Sequence, residues 1–337
     1  MAHSGNGAPI SYEGKLAVVT GGGSGMGREL VRQLTEQGCS VATCDWHADA
    51  VAETTALALA SAPAGVRVTS HSCDVSIEAQ VLRFRDEVLE QHECDHVDLV
   101  FSNAGIGGGG SFIADSREEW ERTFAVDWWG VYYCARAFLP LLMASNDGVL
   151  VNTSSVNGFW ATLGPGVPHT AYSAAKFAVK GFSEALIEDL RTHAPHVRVA
   201  VVMPGHVGTD IIANSMRARG LPDPAELNES QVEELFRPGT LAALVRAGAL
   251  AQSASADDLR RLLVELNAGF RDNAPLTAAD AATSILDQVR SGAWRILIGE
   301  DAERLDAAVR AKPEAAYDPG FTGLLAGTPG GADATIT

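Results

Sequence analysis

Thr20-Gly21-Gly22-Gly23-Ser24-Gly25-Met26-Gly27 joins an apolar, β-branched run, Leu16–Thr20, to a helical pattern, Met26–Gln37. Glycines let the backbone turn sharply between the two and approach a bulky anion closely. The helix that follows offers free N–H groups and the positive end of its dipole, so the turn suits a pyrophosphate. The spacing is T-G-x-x-x-G-x-G rather than G-x-G-x-x-G; taken alone it is a weak signal, with a plain strand-to-helix turn as the lesser alternative.

Outward from this turn the same alternation repeats. Ser40–Cys44, Val66–Ser70, Val97–Ser102, Val149–Asn152 and Val197–Met203 read as further strands, several of them continuous apolar runs of the kind covered on both faces. Helical patterns lie between them at His47–Ala60, Ser76–Gln91, Arg117–Leu142 and Ala171–Arg191. Strand–helix alternation of this kind specifies an α/β fold with a doubly wound parallel sheet. From 211 to 275 the rhythm changes to helix-like stretches broken by Pro222, Pro224, Pro238 and Gly239, and it resumes with a helix at Ala278–Arg290 and a strand at Trp294–Ile298. The expected organisation is a flexible N-terminus (1–13), one Rossmann-type domain (14–311) with a helical insertion at 211–275, and a Pro/Gly/Ala-rich tail (312–337), flexible or docked on a partner.

Composition narrows the function. Twenty-five basic against forty-two acidic residues give a net charge of −17, which argues against a nucleic-acid or anionic-membrane surface. No apolar stretch approaches the ~18 residues of a membrane span, and the first residues lack the order of a signal peptide. The five scattered cysteines contain no C-x-x-C pair, so a metal site is not expected and reduced, buried thiols in a cytoplasmic protein are.

Further positions carry chemistry. Asp45 closes the second strand eighteen residues after Gly27, where a carboxylate can accept hydrogen bonds from ribose hydroxyls and repel a 2′-phosphate. Trp46 and His47 bring no Arg or Lys to attract one, so NAD is favoured over NADP; Asp45 would also cap the next helix. Tyr172 and Lys176 stand four apart on a helix and share a face. Ser155, seventeen residues before Tyr172, and Asn103-Ala104-Gly105 both follow strands, whose carboxyl ends converge on the ligand crevice. A tyrosine ionises near pH ~10, and a neighbouring lysine ammonium would favour its phenolate as a base.

With these motifs in order, the sequence resembles the short-chain dehydrogenase/reductase family over roughly Gly14–Asp210 plus the last helix and strand. The resemblance implies that Gly21, Gly23, Ser24, Gly25, Met26 and Gly27 cradle the pyrophosphate. Asp74 and Val75 would hold the adenine, and Asn103, Ala104 and Gly105 would line the cleft. Tyr172 would be the acid/base, Lys176 would bind the nicotinamide ribose, and Ser155 would hold the substrate oxygen. Pro204, Gly205, Val207 and Thr209 would meet the carboxamide end. The implied activity is interconversion of a secondary alcohol and a ketone, with a hydrophobic or aromatic substrate, in a homodimer or homotetramer built on Arg117–Leu142 and Ala171–Arg191. A carrier-bound 3-oxoacyl reductase and a non-catalytic nucleotide-binding regulator are the alternatives.

Two features depart from the family pattern. Asp127 stands where the family carries an Asn of the proton relay; it is kept as a relay residue, with a structural helix residue as the alternative, and its charge would partly offset that of Lys176. The Ser155–Tyr172 interval is also long and holds Phe159, Trp160, Pro165, Pro168 and His169, which would either wall the substrate pocket or form a surface excursion, with His169 a structural residue rather than a second base. The insertion at 211–275 falls where the family places its substrate lid; Ile211, Ile212, Met216, Leu221, Leu227, Phe236, Leu241, Leu244 and Leu250 would form its apolar faces. Arg217 and Arg219 are solvated lid charges in preference to partners of a substrate carboxylate.

Overall fold

The computed structural model describes residues 9–164, 167–236, 254–318 and 320–321. β1 (Leu16–Thr20) pairs in parallel with β2 (Ser40–Asp45) on one side and β4 (Leu99–Ser102) on the other. β3 (Val68–Ser72) extends the first side; β5 (Val149–Thr153), β6 (Arg198–Pro204) and β9 (Arg295–Ile298) extend the second. The resulting seven-stranded order, β3-β2-β1-β4-β5-β6-β9, reverses direction between β1 and β4, which opens a crevice at the carboxyl ends of those strands.

Helices cover both faces because the central strands are apolar throughout; all five residues of Leu16–Thr20 are buried. On one face α1 (Gly25–Glu36) and α10 (Ala278–Arg290) contribute Leu30, Leu34, Ile285 and Leu286 to one core. On the other, α3 (Glu78–His92), α5 (Gly130–Ala144) and α6 (Thr170–His193) contribute Phe84, Phe138, Leu186 and Leu190. Each such side chain stabilises the fold by about 1.5–3 kcal/mol on burial. α2 (Ala48–Ser61) packs beside β2 and β3.

Several boundaries differ from the sequence expectation. The third strand begins at Val68 rather than Val66, because Gly65 (φ 90°) and the Val66 N–H to Pro63 carbonyl bond (3.3 Å) complete a turn first. The helix expected over Arg117–Leu142 is α4 (Arg117–Phe124), a π-turn over Ala125–Trp129, then α5. The N-terminus is not loose throughout: Ile10 and Tyr12 are each 2% exposed, and the Tyr12 hydroxyl donates to the Leu286 carbonyl at 2.6 Å. The tail after α11 (Glu300–Ala311) packs on this same chain, with Ala316 and Phe321 buried against Trp160 and Leu305; this replaces the expectation of a free or partner-docked tail for 313–318 and 320–321.

The insertion leaves and rejoins the domain through a short parallel pair, β7 (Val207–Gly208) with β8 (Leu276–Thr277). It holds α7 (Ile211–Ala218), α8 (Glu229–Leu235) and α9 (Ala256–Asp272), the last two each started by a capping box, Asn228 with Gln231 and Ser255 with Asp258. Met216, Leu227, Val232, Phe236 and Leu259 form its own small core. Ile211 and Ile212 remain half-buried, and Leu241, Leu244 and Leu250 lie outside the described residues, as does Pro165.

Candidate active site

The glycine turn is built by stitching the ends of β1 and β4 together. The Thr20 hydroxyl accepts the N–H groups of Asn103 and Ala104, both at 3.1 Å, and Asn103 Nδ2 donates to the Thr20 carbonyl at 3.2 Å. Gly21 then takes φ 70°, and a Cβ there would sit 2.7 Å from Ala104 Cα, so the approach requires glycine. At the start of α1, Ser24 makes no side-chain cap and the first turn carries no acid, so no side chain of the turn takes up the first N–H groups or opposes an anion there.

Asp45 stands beside this turn. Its Oδ2 accepts the Gly23 N–H and its Oδ1 the His47 N–H, each at 3.0 Å. Burial pushes its pKa up, and the His47 and Gly23 hydrogen bonds pull against that shift. The helix cap expected of Asp45 belongs instead to His47, whose Nδ1 accepts the Ala50 N–H at 3.3 Å. Arg28 lies behind the turn with its guanidinium taken up by the Gly23 carbonyl (2.7 Å), Thr54 (3.0 Å) and Glu53 (2.7 Å). Across the mouth, Asp74 Oδ1 accepts from the Ser76 N–H (2.9 Å) and hydroxyl (2.7 Å), and Val75 is buried.

The second half of the site lies at the ends of β5 and α6. Ser155 Oγ accepts the Asn157 N–H at 3.1 Å and is near enough to the Tyr172 phenol to favour its ionised form. Lys176, 2% exposed, donates to the Thr153 carbonyl at 3.2 Å and lies 5.3 Å from the Tyr172 ring centroid. Burial raises the Tyr172 pKa; Lys176 lowers it, Asp127 raises it, and Ser155 lowers it, for a net upward shift. Burial likewise opposes the Lys176 charge, but Asp127 and Tyr172 outweigh that and hold its pKa above the usual lysine value.

Asp127 is brought inward by the π-turn and is fully buried. Its Oδ1 lies 3.2 Å from Lys176 Nζ and accepts the Ile106 N–H at 3.2 Å, while Oδ2 is buried with no partner. Burial, partly offset by Lys176, pushes its pKa up to about 6. A Cβ on Gly105 would come 2.7 Å from Asp127 Oδ1, so glycine there makes the Lys–Asp approach possible.

Pro204 ends β6, and the Gly205 N–H bonds the Ile298 carbonyl at 2.9 Å. Val207 is buried in β7, and a Cβ on Gly25 would lie 3.1 Å from Thr209 Cγ2, which puts Thr209 over the glycine turn. α7 crosses the same turn: Asn214 Nδ2 donates to Ser24 Oγ at 2.9 Å, and Ser215 Oγ accepts the Gly107 N–H at 2.7 Å. Arg217 pairs with Asp223 within the insertion (2.7 Å), and Arg219 pairs with Glu119 of α4 (3.3 Å), tying the insertion to the domain, so both are engaged in structural ion pairs. The His169 ring lies 4.7 Å from the Tyr172 ring, tilted by 39°, and burial lowers its pKa to about 4, which keeps it neutral near pH 7.

Sequence reasoning missed Asn157, Asn214, Ser215 and Asp301, whose Oδ2 fixes the loop after β6 by accepting the His206 N–H at 2.7 Å. Asn157 follows Ser155 closely enough to be found by position; the other three reach the site only through folding. A dinucleotide fits this arrangement: the first turn of α1 carries no side-chain cap and no acid, Asp45 borders the glycine turn, and Asn103 Oδ1 is buried without a partner. The group would be held by the glycine turn, Asp45, Asn103 and Lys176.

The model of the short chain dehydrogenase family matches residues 15–220. A Mycobacterium tuberculosis protein described as an oxidoreductase, SadH, is 40% identical over 210 residues, covering 62% of this chain and 73% of its own. Meso-2,3-butanediol dehydrogenase of Serratia marcescens is 33% identical over 202 residues, 60% of this chain and 75% of its own. Among solved structures, a short chain dehydrogenase/reductase from Burkholderia phymatum in complex with NAD superposes with a TM-score of 0.69 at 30% identity, over 91% of this chain and 95% of that one.

Proposed function

This chain belongs to the short-chain dehydrogenase family, and from that premise we propose that it is an NAD-dependent oxidoreductase interconverting a secondary alcohol and a ketone. The observation that carries this reading is the junction of Ser155, Tyr172 and Lys176 beside an uncapped glycine turn. NAD, when bound, supplies the hydride acceptor. Tyr172, as the phenolate, takes the hydroxyl proton of the alcohol, and Ser155 Oγ holds the same oxygen so that its lone pairs and the leaving hydrogen are aligned. Lys176 favours the phenolate by its charge, and its contact with the Thr153 carbonyl keeps the ammonium in place through the step.

NAD rather than NADP is supported by the Asp45 carboxylate at the ribose end and by Arg28 being already paired with Glu53. The NAD complex of the Burkholderia phymatum protein agrees with this, while a metagenomic relative of 32% identity was solved with NADP. The insertion acts as a substrate lid: α7 bonds both the glycine turn and Gly107, and half-buried Ile211 and Ile212 favour a hydrophobic or aromatic substrate. Exposed Trp129 and Phe177 on the π-turn and α6 support self-association into a homodimer or homotetramer. Five free cysteines suit a reducing compartment, the cytoplasm.

Purified protein incubated with NAD and a panel of secondary alcohols, followed at the NADH absorbance, tests the reading. Turnover supports it. Turnover only with NADPH and an acyl-carrier ketone would favour a 3-oxoacyl reductase, and dinucleotide binding without turnover of any alcohol or ketone would favour a regulator.

A further inference from the structure

The loop that carries Ser155 is fastened from a distance. Asn157 gives its N–H to Ser155 Oγ and spends its side chain on the carbonyls of Trp160 and Thr162, both at 2.9 Å. The loop is therefore closed on itself through one asparagine. Trp160 is 3% exposed, and the indole N–H donates to the Ala316 carbonyl at 2.8 Å. Phe321, itself 3% exposed, lies 6.0 Å from the Trp160 ring, and Leu305 of α11 completes the cluster. The Ala161 N–H donates to the Tyr317 hydroxyl at 3.1 Å, an exposed bond and so the weaker fastening.

We infer that the C-terminal segment around Ala316 and Phe321 is a positioning element for Ser155, acting through Trp160 and Asn157, and that it sets substrate turnover rather than dinucleotide affinity. This rests on the reading of Ser155 as the residue that holds the substrate oxygen. The buried indole bond and the Phe321 contact fix Trp160. Asn157 holds the Trp160 carbonyl and the Ser155 hydroxyl at the same time, so a displaced Trp160 moves the N–H that orients Oγ. The glycine turn and Asp45 make no hydrogen bond to this cluster, which separates the two halves of the site.

Three variants test this: Trp160→Phe, which keeps a ring and removes the donor, Tyr317→Phe, and truncation after Lys312. Hydrogen–deuterium exchange of 155–164, NADH affinity by nucleotide fluorescence, and kcat and KM for the best alcohol are measured on each. Expected are faster exchange over 155–164 in Trp160→Phe and in the truncated protein, a fall in kcat of about tenfold or more for either, at most about twofold for Tyr317→Phe, and NADH affinity within about twofold of wild type throughout. Unchanged exchange in 155–164 after truncation, or losses of NADH affinity matching the losses in kcat, would overturn the proposal. If no alcohol is turned over by the wild-type protein the functional reading fails, and the exchange measurement still decides the fastening by itself.

Discussion

Asp127 Oδ1 and Lys176 Nζ stand 3.2 Å apart with both side chains closed to solvent, and Asp127 Oδ2 has no partner at all. The carboxylate raises the pKa of Lys176 and of Tyr172 alike. For a lysine that is support; for a tyrosine that must act as phenolate it is opposition.

Asp127→Asn should therefore retain or raise activity and move the tyrosine limb of the oxidation pH–rate profile to lower pH. The sign follows from the charge: the negative group that disfavours the phenolate is removed, so the phenolate forms at lower pH. Because the Asp127 pKa is about 6, the wild-type carboxyl is neutral below that value and the two profiles should converge there. A folded variant with its limb unmoved, or with a large loss of rate, would give the carboxylate a role of its own.

Tyr172→Phe should leave NADH affinity nearly intact and reduce kcat by ~10²–10⁴-fold, because only the proton-transfer group is lost. Lys176→Ala should damage both affinity and turnover, since it also removes the contact with the Thr153 carbonyl and leaves Asp127 uncompensated. Retention of more than about a tenth of kcat by Tyr172→Phe would contradict its use as the base.

Most of the sheet and the catalytic pair were legible in the sequence because they depend on local pattern: β-branched runs, glycines at fixed offsets, and a Tyr–Lys spacing of one helical turn. What stayed hidden depends on contacts between distant segments. The π-turn that swings Asp127 inward leaves the apolar spacing of Arg117–Leu142 looking like one helix. The tail from Lys312 reads as loose by composition, yet Ala316 and Phe321 find Trp160, which no local pattern announces. Asn214 and Ser215 look like ordinary polar helix residues until α7 lies across the glycine turn.

Asp45 should give NAD roughly a tenfold or greater advantage over NADP in kcat/KM, since its carboxylate would face the 2′-phosphate. Asp45→Ala should narrow that gap, chiefly by improving NADP. Arg28, held by Glu53, should not rescue NADP in the wild-type protein. Steady-state kinetics with both cofactors decide it, and equal or better use of NADPH by the wild type would reverse the assignment.

The lid is the place where substrate size should be felt. A methylene buried under it contributes about 0.8 kcal/mol, so four more along a homologous series of secondary alcohols should raise kcat/KM by around two orders of magnitude. The two hydrogen bonds that tie α7 down, Asn214 to Ser24 and Ser215 to Gly107, contribute about 1 kcal/mol each to the closed arrangement. The double variant Asn214→Ala, Ser215→Ala should thus open the lid more often, raise KM for long alcohols more than for 2-propanol, and flatten the series. NADH affinity should fall less, because the glycine turn loses only the Ser24 contact and Asp45 is unchanged. The same alcohol series run on both proteins checks it: a wild-type series that is already flat, or a slope that survives the double substitution, would mean that the segment from Ile211 to Asp272 serves assembly rather than the substrate.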